Sequence, residues 1–432
     1  GTADVITKKC EDIEMKKCFL ALLLCALLLC GSLLSAAESA PILPDAPEIT
    51  NAVMAMVYEE TTDTILFAKN IDRKNAPASM TKVMTAVLVL EYDPELSGTM
   101  VVPEEAVSAQ YCYWMDEVHL LAGEEITVRE LMNYLLITSG NEAATTLACY
   151  VAGNIPDFIT MMNEKAAALG MEKTHYEDPH GLSELSRITC RDMITLCRYA
   201  MGFPLFREIV GSTSGALPIS NMRTAPRRYR TTNRVMDPRS ESAYMTDFTE
   251  SVVGIKTGYI QAAGSNLACC VEKDGRVFYS VVMHCHDVPR GDRSLSGHFL
   301  DTITLMNYAL QFYPTSYTPG FPIASAATKG SLKDNVQIGV AQPIGALSPQ
   351  ALEPQLSLSL GARVKKGDVV GKLTLDSGLE LPEGLSSVKE VELIALNDAS
   401  TSLLIYILPA VLVTALVLFL VLRGRRPAKP QI

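Results

Sequence analysis

The chain has 432 residues, of which 48% are hydrophobic and 20% are charged, and its formal net charge is −11. So many apolar residues exclude an intrinsically disordered chain, and an acidic chain is not typical of nucleic-acid-binding proteins. The length is sufficient for two or three domains. The mean hydropathy of +0.18 is high beside so much negative charge, which indicates that apolar residues are concentrated in particular segments.

An apolar run near the N-terminus is typical of a secretory signal peptide. The run Phe19–Cys30 contains no charged side chain, follows two lysines and precedes the small residues Ser35–Ala37. This order of charged, apolar and small residues predicts a signal peptide over residues 1–37. Met15 is a candidate translation start within it.

Residues 45–313 combine strand and helix patterns. Two β-rich runs separated by a polar stretch predict a hairpin of Ala52–Tyr58 with Thr64–Ala68. Apolar periodicity then predicts helices at Met80–Glu91, Val128–Ile137, Ala143–Ala152 and Asp157–Leu169. Later β-rich runs predict strands at Ser251–Ile255 and Val277–Met283. Strands at both ends with helices between them favour an α/β (α+β) domain, with helices layered on an antiparallel sheet.

The C-terminal part changes character after a stretch rich in Pro, Ser and Thr at residues 314–324, which predicts a linker. A small all-β domain is expected over residues 325–396, from strand-like runs at Asn335–Ala341, Gln355–Leu360, Asp368–Leu375 and Val388–Leu396. Residues 403–422 carry no charge and are long enough to form a transmembrane helix, and residues 423–432 are basic. By the positive-inside rule, we expect a single-pass protein of the cell membrane with a cytoplasmic tail and its domains outside the cytoplasm.

The first chemical motif is Ser79-Met80-Thr81-Lys82, which opens a predicted helix. Residues three apart on a helix share one face, so Ser79 and Lys82 are expected to be neighbours. A lysine whose pKa is lowered by burial or by another cation can take the proton of a serine and make it a nucleophile. Taken alone, the spacing suits an N-cap serine and a solvent-facing lysine better.

Two further motifs follow in the chain. Ser139-Gly140-Asn141, just after a predicted helix, supplies a second hydroxyl for proton relay and an amide that can pair with a peptide group. Lys256-Thr257-Gly258, predicted at the end of a strand, supplies a cation and a hydroxyl for a substrate carboxylate. The glycine permits close approach of a ligand backbone. Each motif alone is better explained as an ordinary turn.

Together and in this order, the motifs form the set S-x-x-K, S-x-N and K-T-G of penicillin-recognising serine enzymes. Over residues 45–396 the sequence resembles the D-alanyl-D-alanine carboxypeptidases, the low-molecular-mass penicillin-binding proteins of peptidase family S11. Other segments similar to that family are Ala76-Pro77-Ala78, Glu142-Ala143-Ala144, Asp178-Pro179-His180-Gly181-Leu182, Thr231-Thr232-Asn233-Arg234 and Ala263-Gly264. The resemblance implies a serine β-lactamase/transpeptidase-like catalytic domain with the family's β-rich domain behind it.

The resemblance also implies the chemistry. Ser79 would attack the penultimate D-alanine of a peptidoglycan pentapeptide and would also be acylated by β-lactam antibiotics. Lys82 would be its general base, and Ser139 would join the proton relay. The implied substrate-binding residues are Asn141, Lys256, Thr257, Gly258, Tyr259 and Arg293. No cofactor, metal or nucleic-acid partner is expected.

Two departures and two alternatives accompany this hypothesis. Glu142 stands where the family often has aspartate, and Ile260 where it usually has threonine, which affects the expected rate or substrate preference. A class A β-lactamase carries similar motifs, but no E-x-x-L-N segment follows the second motif here. A non-catalytic wall-binding protein would not need all the motif residues intact.

Overall fold

The computed structural model describes residues 44–107, 118–331, 334–400 and 411–415. The predicted signal peptide (1–37), the basic tail (423–432) and most of the predicted membrane span (403–422) lie outside these residues. Within the described ranges, no helix is both long and apolar enough to cross a membrane.

Residues 52–309 contain both strands and helices. Up to residue 210 they are β1 (Ala52–Glu59), β2 (Thr64–Lys69), α1 (Lys82–Tyr92), β3 (Thr99–Val101), β4 (Glu125–Thr127), α2 (Val128–Ile137), α3 (Asn141–Ala152), α4 (Ile155–Ala168), α5 (Cys190–Met201) and α6 (Pro204–Val210). Up to residue 309 they are β5 (Ser214–Leu217), β6 (Arg227–Arg230), β7 (Val252–Ile260), β8 (Gly264–Lys273), β9 (Arg276–Cys285), β10 (Val288–Arg290), β11 (Arg293–Leu295) and α7 (Gly297–Ala309).

An antiparallel five-stranded sheet in the order β2-β1-β9-β8-β7 organises this part. Alternate residues of a strand face opposite sides of the sheet, so β1 contributes side chains to two hydrophobic cores. Met54 and Met56 pack with residues of α1 to α6, whereas Ala55 and Val57 pack with residues of α7. The prediction of helices layered on an antiparallel sheet is confirmed, and β7 forms an edge of that sheet.

The later elements are β-rich. They are β12 (Tyr313–Tyr317), β13 (Ala324–Ala326), β14 (Val336–Val340), β15 (Ile344–Ser348), β16 (Gln355–Leu358), β17 (Arg363–Val364), β18 (Val369–Asp376), β19 (Val388–Ala395) and β20 (Ala399–Ser400). A second antiparallel sheet has the order β13-β14-β19-β18-β16 and a core of its own.

The predicted linker at 314–324 is wrong in its first half. Tyr313–Tyr317 forms β12, which pairs with β15 from Tyr313 opposite Ser348 to Tyr317 opposite Ile344. Pro314 favours a loop, but a strand paired on one side tolerates a proline because its other edge needs no backbone donor. Tyr and Thr have high strand propensity, and the pairing with β15 decides the structure.

Candidate active site

Ser79 lies on a 3₁₀ turn, Ala78–Thr81, directly before α1. Its Oγ is 2.9 Å from Nζ of Lys82, the first residue of that helix. Ala78 adopts a left-handed backbone with φ of +49°, which is uncommon for a residue with a side chain. The first motif therefore brings its serine and lysine together, on a 3₁₀ turn before the helix and not within its first α-turn.

Lys82 is completely buried and has three polar neighbours. Besides Ser79, its Nζ lies 2.7 Å from Oδ1 of Asn141 and 2.7 Å from the backbone oxygen of His180. Burial disfavours the charged amine and lowers the pKa of Lys82 to about 7, although the carboxylates of Asp178 and Glu142 oppose this shift. A lysine with such a pKa is neutral in a large fraction of molecules at neutral pH.

The segment Asp178–Leu182 supplies the carbonyl that holds Lys82. Asp178 accepts hydrogen bonds from the backbone N–H groups of His180 (2.9 Å), Gly181 and Ser183 (2.5 Å), which fixes the loop. A Cβ on Gly181 would lie 1.8 Å from the backbone oxygen of Ala78, so this position requires glycine. The resemblance marked this segment, but the use of the His180 carbonyl could not be inferred from the sequence.

The second motif connects α2 to α3. Ser139 has a φ of +75°, and Asn141 is the first residue of α3. A Cβ on Gly140 would lie 2.2 Å from the ring of Tyr134, so glycine lets the turn pack closely on α2. Glu142 follows and is buried, which raises its pKa.

The third motif lies inside β7, which continues to Ile260, so its prediction at a strand end is wrong. Pairing with β8 continues from Lys256 opposite Ala268 to Ile260 opposite Gly264. Burial and the neighbouring amine of Lys82 both lower the pKa of Lys256 well below its ordinary value. The hydroxyl of Thr257 is 2.6 Å from that of Thr232.

Gly258 brings β7 against the turn that carries Ser79. A Cβ there would lie 2.7 Å from the oxygen of Pro77 and 3.2 Å from the backbone nitrogen of Met80. Asn266, on the adjacent strand β8, also donates to the oxygen of Pro77 at 3.4 Å. This buried amide is a positioning residue that sequence reasoning missed.

A pocket of about 530 Å³ opens over these groups. Its lining includes residues of all three motifs and of the N-terminal end of α7: Ser79, Thr138, Ser139, Gly140, Asn141, Glu142, Leu182, Thr232, Arg234, Thr257, Gly258, Tyr259, Ser296, His298 and Phe299. The amines of Lys82 and Lys256 are buried beside the pocket. In the described part of the chain, no group of three His, Cys, Asp or Glu side chains is placed to hold a metal ion.

The structure places Arg293 outside this lining. Its side chain is 65% exposed on β11, and its Nη1 lies 3.7 Å from Oε2 of Glu241. Arg234 lines the pocket instead, with its Nη1 3.8 Å from Oε1 of the same Glu241. The signal for Arg234 was present in the family-like segment Thr231–Arg234, where the hydroxyl of Thr232 contacts Thr257.

Comparisons with known proteins point to one family. The family model of peptidase family S11, described as D-alanyl-D-alanine carboxypeptidase, matches residues 40–287. D-alanyl-D-alanine carboxypeptidase DacD of Escherichia coli (strain K12) is 28% identical over 376 residues, covering 84% of this chain and 86% of that protein. DacF of Bacillus subtilis (strain 168), also named a D-alanyl-D-alanine carboxypeptidase, is 25% identical over 354 residues, covering 78% of this chain and 85% of that protein.

A solved structure supports the same fold. The crystal structure of the D-alanyl-D-alanine carboxypeptidase DacD from Francisella tularensis has a TM-score of 0.64 and 22% identity, covering 85% of this chain and 98% of that one. The family model covers more than half of this chain, and the three motifs converge on one pocket. This chain therefore belongs to peptidase family S11, the D-alanyl-D-alanine carboxypeptidases.

Proposed function

We propose that this protein is a serine-type D-alanyl-D-alanine carboxypeptidase that removes the terminal D-alanine of peptidoglycan stem peptides. The reaction proceeds through an acyl-enzyme on Ser79, and β-lactams acylate the same oxygen. The observation that carries the proposal is the 2.9 Å contact of Ser79 Oγ with the fully buried amine of Lys82, beside a pocket lined by all three motifs.

The contacts of Lys82 explain why it can act as the base. A neutral amine has two N–H donors and one lone pair. Its two neighbours besides the serine, Oδ1 of Asn141 and the carbonyl of His180, are acceptors and occupy both N–H groups. The lone pair is then left for the hydroxyl proton of Ser79. Lys82 takes this proton as Ser79 attacks the carbonyl carbon.

The developing oxyanion needs donors that are already in position. We assign this role to the backbone N–H groups of Ser79 and Tyr259. Because β7 is an edge strand and Gly258 brings it against the Ser79 turn, these two parts of the backbone are held close together. A preorganised donor of this kind is typically worth about 3 kcal/mol in the transition state.

The remaining motif residues bind the substrate and move its protons. The Oδ1 of Asn141 accepts from Lys82, and its Nδ2 donates to a substrate carbonyl. Lys256 and Thr257 bind the terminal carboxylate. Ser139 relays a proton to the leaving amine of D-alanine, after which water hydrolyses the ester of Ser79.

The sequence also supports a location and a domain division as proposals. The apolar segments predict export of the chain, removal of residues 1–37 and tethering to the cell membrane by residues 403–422. We propose a catalytic domain at 45–313 and a β-rich domain at 325–396, and the separate apolar core of the later strands supports this division. The enzyme then acts at the outer face of the membrane.

Two assays of the purified protein test the activity. The wild type should release D-alanine from diacetyl-Lys-D-Ala-D-Ala and form a covalent adduct with fluorescent penicillin. Ser79→Ala should lose both. Persistent labelling of the Ser79→Ala variant would show that another residue is the nucleophile.

A further inference from the structure

His298 lies in the pocket wall, but none of the steps above uses it. It is the second residue of α7, and the residue is 8% exposed. Its Nδ1 is buried and has no hydrogen-bond partner among the described residues. Its Nε2 also makes no hydrogen bond within this part of the chain. Because the residue lines the pocket, Nε2 is the ring nitrogen that a ligand can reach.

The surroundings of the ring keep it neutral. Its centroid lies 3.9 Å from that of Phe299, whose other neighbour is the ring of Tyr244 at 5.1 Å. Burial and, to a smaller extent, the positive charge of Arg234 together lower the pKa of His298 to about 4. A neutral imidazole has one N–H and one lone pair. Buried N–H groups are rarely left unpaired, so the lone pair belongs on the enclosed Nδ1 and the N–H on Nε2.

The wall around His298 favours an anion. Arg234 is close enough to influence the His298 ring and lines the same pocket as Thr232 and Thr257. The first turn of α7 contains no acidic residue, and its backbone N–H groups add positive potential. Glu142, the acidic residue of the lining, belongs to α3.

We propose that His298 is a substrate-binding residue whose Nε2–H donates a hydrogen bond to the terminal carboxylate of the stem peptide, beside Arg234 and Thr257. This inference rests on the proposed carboxypeptidase function and adds a selectivity determinant to it. A carboxylate accepts a hydrogen bond from Nε2–H more strongly than a neutral carbonyl oxygen does, so the residue helps the enzyme to distinguish the end of a peptide from its interior.

Three variants separate the donor from the packing. His298→Phe keeps an aromatic ring against Phe299 and removes both nitrogens. His298→Gln places its amide NH₂ near the position of Nε2, whereas His298→Asn places its NH₂ near that of Nδ1. Each is made in the full chain with Ser79→Ala, so that ligand binding is measured without turnover.

The probes are diacetyl-Lys-D-Ala-D-Ala and the same peptide with a C-terminal carboxamide, titrated by NMR. With His298 intact, the acid should bind more tightly than the amide. A hydrogen bond to a charged group is worth enough that His298→Phe should weaken binding of the acid about tenfold. Binding of the amide should stay within about twofold, and Gln but not Asn should recover most of the loss.

If His298→Phe weakened the binding of the acid and of the amide equally, the proposal would be overturned and the ring would have only a packing role. The proposal would also be overturned if His298→Phe weakened the binding of a peptide with a side-chain carboxylate at its third residue but did not weaken the binding of the lysine peptide. If His298→Phe does not fold, equal affinities of the Gln and Asn variants for the acid refute the donor role. Absence of D-alanine release by the protein with Ser79 intact would count against the proposed function itself, so the two failures are distinguishable.

Discussion

The pH dependence of acylation tests the central role of Lys82. A pKa of about 7 leaves roughly half of the molecules with a neutral amine at pH 7, against about one in 3,000 at the ordinary value of 10.5. The rate constant for acylation by a fluorescent penicillin should therefore rise with pH to a plateau, with a midpoint near 7. Substitution of Asp178 by asparagine is the perturbation that moves this midpoint.

The direction of the shift follows from charge. The Asp178 carboxylate favours the charged amine of Lys82 and raises its pKa, so Asp178→Asn should lower the midpoint by about one pH unit. The amide oxygen of the asparagine can still accept a backbone hydrogen bond from the His180–Ser183 loop, which limits the loss of structure. At pH 6 the acylation rate, expressed as a fraction of each protein's own plateau rate, should be higher for the variant than for the wild type.

The assay is stopped-flow or quenched labelling between pH 5 and 9, with Glu164→Gln as the control. Glu164 is an exposed residue of α4, so its substitution makes the same change in net charge away from the site. Its pH profile should match that of the wild type. A midpoint that is unchanged or higher in Asp178→Asn would refute the assignment of the profile to Lys82.

Three other predictions concern packing and stability. Gly258→Ala should lower the penicillin acylation rate at least tenfold, because the new Cβ would lie 2.7 Å from a backbone oxygen and force β7 away from the Ser79 turn. Lys389→Met should lower the free energy of unfolding by about 1–3 kcal/mol in chemical denaturation, because the half-buried lysine donates to the backbone of the β1–β2 turn, including Asp63 at 2.9 Å. Acylation should be unchanged, and substitution of the exposed Lys372 by methionine should lower the free energy of unfolding by less than about 1 kcal/mol. Thr127→Ala removes the capping box of α2 and should lower the free energy of unfolding by about 1 kcal/mol, which a lower thermal melting midpoint would report.

Local signals were sufficient where a segment determines its own structure. Helix α2 occupies its predicted limits because Thr127 and Glu130 cap its start and its apolar face is clear. The start of α1 was predicted at Met80, two residues early, because the sequence pattern does not distinguish the 3₁₀ turn from the helix. The end of β7 was missed because Lys256 and Gly258 have low strand propensity, and the strand continues through its pairing with β8.

The functional residues divide in the same way. The spacing and order of the three motifs were enough to predict that four residues belong to the active site: Ser79, Lys82, Asn141 and Lys256. Arg293 was predicted as a substrate-binding residue without a motif to support it, and the arginine that lines the pocket is Arg234. Which helix end forms the pocket wall depends on packing across the sheet, so nothing in the local sequence indicated His298.

The two buried amines of the site are best understood as one coupled system. A charge on Lys82 lowers the pKa of Lys256, and by reciprocity a charge on Lys256 lowers that of Lys82. In the proposed function, a substrate carboxylate bound at Thr257 would favour the charged form of the adjacent Lys256. That charge in turn favours a neutral Lys82, which is the form that can accept the proton of Ser79. We therefore expect a ligand without a carboxylate to be acylated with a midpoint at higher pH than a ligand with one.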